Sequence, residues 1–118
     1  MILPHQEPLI FAKKIIEQNK EFNIVKCEFN HIPTLATFIE AAAQASISFI
    51  KDNDTAKIGF LTVAKNINKL ESITKTTYLF KLENTAELNS MKQFYFESLE
   101  EDTKKVVVNG NFTVVLQE

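Results

Sequence analysis

The spacing of apolar positions changes along the chain. From Phe22 to Phe29 they fall on both parities, with Phe22 and Ile24 on one and Val25, Cys27 and Phe29 on the other. Such a run predicts a strand partly buried on both faces. The preceding segment, Leu9–Glu17, is apolar apart from its lysines and acids, and a polar cluster from Gln18 to Glu21 separates the two. Together they predict a first antiparallel pair. Beyond Pro33 and Thr34 the step lengthens. Leu35, Phe38, Ile39, Ala42, Ala43, Ser46, Ile47 and Ile50 recur every three or four residues, which is a helical stripe. Thr34 is a fair N-cap, with Thr37 as its competitor. Ala41–Ala43 and Ala45 add helix propensity. The opposite face carries Ala41, Gln44, Ala45 and Ser48 and no charge, so the helix is expected to be enclosed. The polar run Lys51–Asp54 is expected to stop it.

The remainder reads as strands: Ile58–Ile67, Ser72–Glu83, Met91–Leu99 and Val106–Leu116, the last two joined by a hairpin connection over Glu100–Thr103. Asn109 and Gly110 alone would signal a hairpin. The arms on either side would then be very short, so a bulge or kink within one long final strand is preferred, with Gly110 allowing a bend or a close backbone approach. Two strands, one long helix and four strands make an α+β domain, a curved antiparallel sheet wrapped around the helix. One domain over residues 1–118 suits the length. Its edge strands invite pairing with another chain.

Composition narrows the class. With 45% hydrophobic and 24% charged residues the chain is of ordinary globular make-up. A net charge of −2 provides no basic field for nucleic acid. All 13 basic residues are lysine, which excludes bidentate guanidinium clamping of phosphate or carboxylate within one chain. A single cysteine, Cys27, makes no intramolecular disulfide, and the expected compartment is cytoplasmic. The N-terminus lacks the layout of a secretory signal, and no segment reaches the roughly 20 apolar residues of a membrane span.

Glu40 is the position that breaks the pattern. It lies mid-helix on the most apolar element, with no basic residue between His31 and Lys51, and Gln44 follows one turn later on the same face. Burial disfavours the charged form of a carboxyl, and a protonated carboxyl suits a general acid. The alternative is an exposed, solubilising charge. His31 stands in the loop feeding the helix, where the helix N-terminus favours neutral imidazole; the alternative is a loop residue bonded to local backbone. His5, between Pro4 and Pro8, reads as part of a rigid docking segment. No ligand-spaced pair supports a metal site.

Three pieces of sequence resemble a known family. They are Leu3-Pro4-His5 with Pro8, then His31-Ile32-Pro33 followed by Phe38-Ile39-Glu40-Ala41-Ala42-Ala43-Gln44-Ala45, and finally Gly59-Phe60-Leu61. The chain resembles FabZ-type 3-hydroxyacyl-acyl-carrier-protein dehydratases, especially their short ApeP-type relatives, which are hotdog folds. Val108–Phe112 also resembles the last strand of the ApeP type. The resemblance implies dehydration of 3-hydroxyacyl thioesters carried on acyl carrier protein or coenzyme A, through a phosphopantetheine arm and with no metal or redox cofactor. It implies Glu40 and His31 as a catalytic pair drawn from opposite protomers of a homodimer, or of a higher oligomer of dimers. Dimerisation is expected through the strand that follows the helix. Gln44 and Gly59 would contact substrate, and Phe38, Phe60 and Leu61 with the alanine face would line an acyl tunnel. One departure stands out. Thr34–Thr37 replaces a longer Gly- and Pro-rich loop of the FabZ type, and ApeP-type relatives often lack the loop histidine, which makes His5 the alternative base. A carrier protein is usually acidic and would need a local lysine patch, such as Lys13, Lys14 or Lys65. Competing readings are a thioesterase on the same scaffold and a non-catalytic acyl-binding accessory subunit.

Overall fold

A computed structural model describes residues 11–46, 58–88 and 90–117. In chain order the elements are β1 (Ala12–Gln18), β2 (Asn23–Glu28), α1 (Leu35–Ala45), β3 (Ile58–Lys69), β4 (Thr77–Leu88), β5 (Met91–Glu100) and β6 (Val106–Gln117). All six strands form one sheet in the order β1-β2-β4-β5-β6-β3, every neighbouring pair antiparallel. The strands β1 and β3 are its edges. The helix lies against β3, β6, β4, β1 and β2, so the sheet wraps around it as the α+β reading expects.

An aromatic cluster fastens the helix to the sheet. Phe38 has no exposed surface and meets Tyr78 and Phe80 edge-on, at 4.9 and 5.5 Å between ring centroids, with Phe29 at 5.7 Å. Such edge-to-face pairs add roughly 0.5–1.5 kcal/mol each beyond area burial. Stacked rings continue the core, Phe80 on Phe96 and Phe94 on Phe112. The alanines Ala41, Ala42 and Ala45 are buried and let the sheet approach the helix closely.

Several boundaries differ from the sequence expectation. The segment from Ser72 to Thr76 is irregular rather than strand. It is held by the Tyr78 hydroxyl, which accepts from the backbone N–H groups of Thr74 and Lys75 at 3.2 and 3.0 Å. The fourth strand instead runs on to Leu88, because Asn84, Ala86, Glu87 and Leu88 pair with Phe94, Gln93, Lys92 and Met91. The expected helical residues 47–50 lie outside the described residues, as do the expected stop at 51–54 and the first two residues of the Leu9–Glu17 segment.

The final strand is continuous through Asn109 and Gly110, and its pairing with β5 is regular there. The irregularity falls on the neighbour instead. The ladder between β3 and β6 shifts register between Lys65 and Asn68, and Asn66 takes a positive φ of 54°. The bulge pushes Ile67 against Gly110, where an added Cβ would lie 3.2 Å from the Ile67 Cα and collide with its side chain. Gly110→Val is therefore expected to cost about 1–3 kcal/mol by overpacking, with part of the loss recovered when Ile67→Ala is added. Chemical denaturation of the single and double variants reads this; an unchanged midpoint for Gly110→Val would contradict the close approach.

Candidate functional site

The helix begins at a well-made cap. The Thr34 hydroxyl accepts from the Thr37 N–H at 3.2 Å, and the Thr37 hydroxyl donates to the Thr34 carbonyl at 2.8 Å. Thr34 is thus the N-cap and Thr37 its reciprocal partner. The Leu35 and Ala36 N–H groups find no acceptor among the described residues, as is usual for a helix start. No acid occupies the first turn and no base the last, so side-chain charge offsets neither end of the helix dipole.

Glu40 is the one ionisable side chain of α1, and it is half-buried. It is neither enclosed nor spread into open solvent. One turn on, Gln44 is buried at 5% exposure. Its Oε1 accepts from the Phe11 N–H at 2.7 Å and from the Ala12 N–H at 3.4 Å. Gln44 therefore ties the start of β1 to the helix face that carries Glu40. The sequence shows Gln44 on that face but gives no bond to β1; the signal was a polar amide within an apolar stripe, which must find a partner when buried.

His31 is exposed and has no hydrogen-bond or ion-pair partner among the described residues, so within one chain it is not paired with Glu40. Phe38, expected to line a channel, is instead enclosed by Phe29, Tyr78 and Phe80, because the helix needs that ring as its anchor. Gly59, Phe60 and Leu61 lie on β3 opposite Leu116, Val115 and Val114, on a strand that packs against α1. Their side-chain environment and His5 lie outside the described residues. Cys27 is fully buried, and burial pushes its thiol far up, so it is no nucleophile. Among the described residues no cluster of three metal-ligating side chains occurs, and no helix is long and apolar enough to cross a membrane.

No family model and no curated protein matches the chain. Solved structures do. One chain of the dehydratase heterocomplex ApeI:P from Xenorhabdus doucetiae superposes with a TM-score of 0.70 at 14% identity, over 98% of this chain and 88% of that one. A mutant thioesterase from Staphylococcus aureus gives 0.64 at 13%, over 89% and 93%. A hypothetical thioesterase from Streptococcus pneumoniae, solved with coenzyme A, gives 0.67 at 12%, over 88% and 87%.

The chain has the hotdog fold. Its hotdog neighbours include both thioesterases and a dehydratase. In this hotdog chain the otherwise charge-free helix α1 holds one carboxyl, and the amide one turn on holds the start of β1. Gln44→Leu is expected to orphan the Phe11 and Ala12 N–H groups at a cost of about 1–3 kcal/mol. It should also accelerate amide hydrogen exchange at Phe11 and Ala12 ahead of the β4–β6 core. Unchanged exchange at Phe11 would contradict the clamp.

Proposed function

We propose that the protein dehydrates 3-hydroxyacyl thioesters. The supporting observation is Glu40, the half-buried carboxyl of a helix whose described residues carry no other charge, one turn from the buried Gln44. In this reaction a base removes a C2 proton, the C3–O bond breaks, and the hydroxyl leaves as water after taking a proton from an acid. Glu40 is the acid. The base is His31 of a second protomer, since the surface position of His31 leaves it available to a neighbouring chain, with His5 as the alternative. Negative charge gathers on the thioester oxygen in the transition state, and backbone N–H groups at the start of α1 are suited to stabilise it. The Gly59 strand is a further donor. No step needs a metal or a redox cofactor.

The substrate is carried on the phosphopantetheine arm of an acyl carrier protein or of coenzyme A. The active form is a homodimer or an assembly of dimers, joined along β3, which is an edge of the sheet and therefore has backbone groups to pair.

Thioester hydrolysis is the second reading. It draws support from the fold neighbours in Staphylococcus aureus and Streptococcus pneumoniae, the latter solved with coenzyme A. There Glu40 would activate water at the thioester carbonyl. Incubation with a panel of 3-hydroxyacyl carrier-protein and coenzyme A thioesters, read by mass spectrometry, separates the two: dehydration removes the mass of water and keeps the thioester, whereas hydrolysis frees the acid. Enoyl thioester is expected from the wild type, with Glu40→Gln slowed by about 10²-fold or more. Equal turnover by both proteins would remove Glu40 from the mechanism.

A further inference from the structure

The first edge strand is unusual in three ways. Every residue from Lys13 to Gln18 is exposed, including Ile15 and Ile16 at 49% and 47%, although Ile15 pairs with the buried Val25 and so faces the concave side. Its lysines Lys13 and Lys14 have no acidic partner among the described residues. Lys14 also stands directly opposite Lys26 in the ladder. Like charges placed across a strand pair are destabilising, and Lys26 is answered only on its far side, by Glu101 at 3.1 Å. The carboxylates of the hairpin stand at its ends, Glu17 and Glu21 toward the turn and Glu28 at the close of β2.

An exposed edge with two isoleucines and an uncompensated pair of lysines is a poor surface for an isolated chain. It fits a partner that brings negative charge together with an apolar residue. The position matters as well. Two residues before Lys14, at about 7 Å along the strand, Ala12 donates its N–H to the Gln44 Oε1, one turn from Glu40. A partner seated on this edge is next to the candidate site.

We infer that the β1 edge, through Lys13, Lys14 and Ile15 to Ile16, is the docking surface for the acidic carrier protein that delivers the acyl chain. The inference rests on the carrier-bound substrate proposed above. It selects among the lysines that charge alone left open: Lys65 lies on the opposite edge strand, beside the neutral amides of Asn66, Gln93 and Asn111. The edge strand supplies backbone hydrogen-bonding groups, the lysines steer approach, and the isoleucines give contact area that leaves water on docking.

Binding of the holo form of a bacterial fatty-acid-synthesis acyl carrier protein, followed by fluorescence anisotropy at low and high salt, tests this. Wild type is expected to bind with an affinity that falls as salt rises. Lys13→Glu/Lys14→Glu should weaken binding about tenfold or more, and Lys65→Glu should not. Reversal at Lys14 removes the repulsion from Lys26, so thermal melting of the double variant should match or exceed that of wild type. Equal carrier binding by wild type and the double variant, loss in Lys65→Glu instead, or no binding by wild type would each overturn the surface. Turnover of a 3-hydroxyacyl N-acetylcysteamine thioester, which has no carrier, should be equal in wild type and the double variant; a fall in parallel with carrier binding would overturn a docking role. If no form turns over this small substrate while the double variant alone loses the carrier, the docking surface stands and the dehydration reading fails.

Discussion

The structure depends on one ring. Phe38 projects from the second turn of the helix into a pocket of Phe29, Tyr78 and Phe80, and this contact sets how the sheet curves around α1. The helix has little else to hold it. Its other buried apolar positions are alanines, which allow close approach but bring little area of their own. Large rings on the sheet and small residues on the helix form a complementary pair, and the density expected of a protein interior follows from their interlocking. The same aromatic side chain that looked available for a channel is spent on this anchor.

Once the helix is fixed, its polar residues acquire meaning. A helix enclosed on most sides tolerates few polar groups, and those it keeps need partners. Gln44 uses its amide oxygen to hold the backbone where β1 begins, so it joins an edge strand to the helix. Glu40 stands one turn earlier on that face, half-covered. The loop histidine stays on the surface. His31 and Glu40 are thus not paired with each other within a chain, and β3 is an open edge of the sheet.

Most of the fold was legible in the sequence because the hydrophobic period changes so plainly. Val25, Cys27 and Phe29 mark an inward face at period two, and the Leu35-to-Ser46 stripe marks a helix at period near 3.6. What failed was local. Asn84 to Leu88 is polar and reads as loop, yet it continues a strand because long hairpins pair beyond the core and need no apolar face there. Ser72 to Thr76 carries strand-forming residues but is captured by the Tyr78 hydroxyl, a contact no local pattern contains. Gly110 was recognisable as a place of close approach, but the bulge that causes it sits across the ladder at Asn66, set by pairing rather than by neighbours in sequence. In the site, Glu40 was visible as a charge out of place. The bond from the Phe11 N–H to Gln44 Oε1 spans 33 residues and could be inferred only as a need for some partner. No pattern in the sequence distinguished Phe38 the anchor from Phe38 the channel wall, since both roles want an aromatic ring on the same helical stripe.

The proposed dehydration turns on reversible proton transfer at C2 of an acyl thioester. Solvent exchange reads that step directly. An enoyl thioester or its 3-hydroxy form is incubated with the protein in deuterium oxide and followed by proton NMR together with a free-thiol assay. Deuterium is expected to enter C2 while the thioester stays intact. Release of thiol with no deuterium at C2 would contradict it and leave hydrolysis as the chemistry of the site.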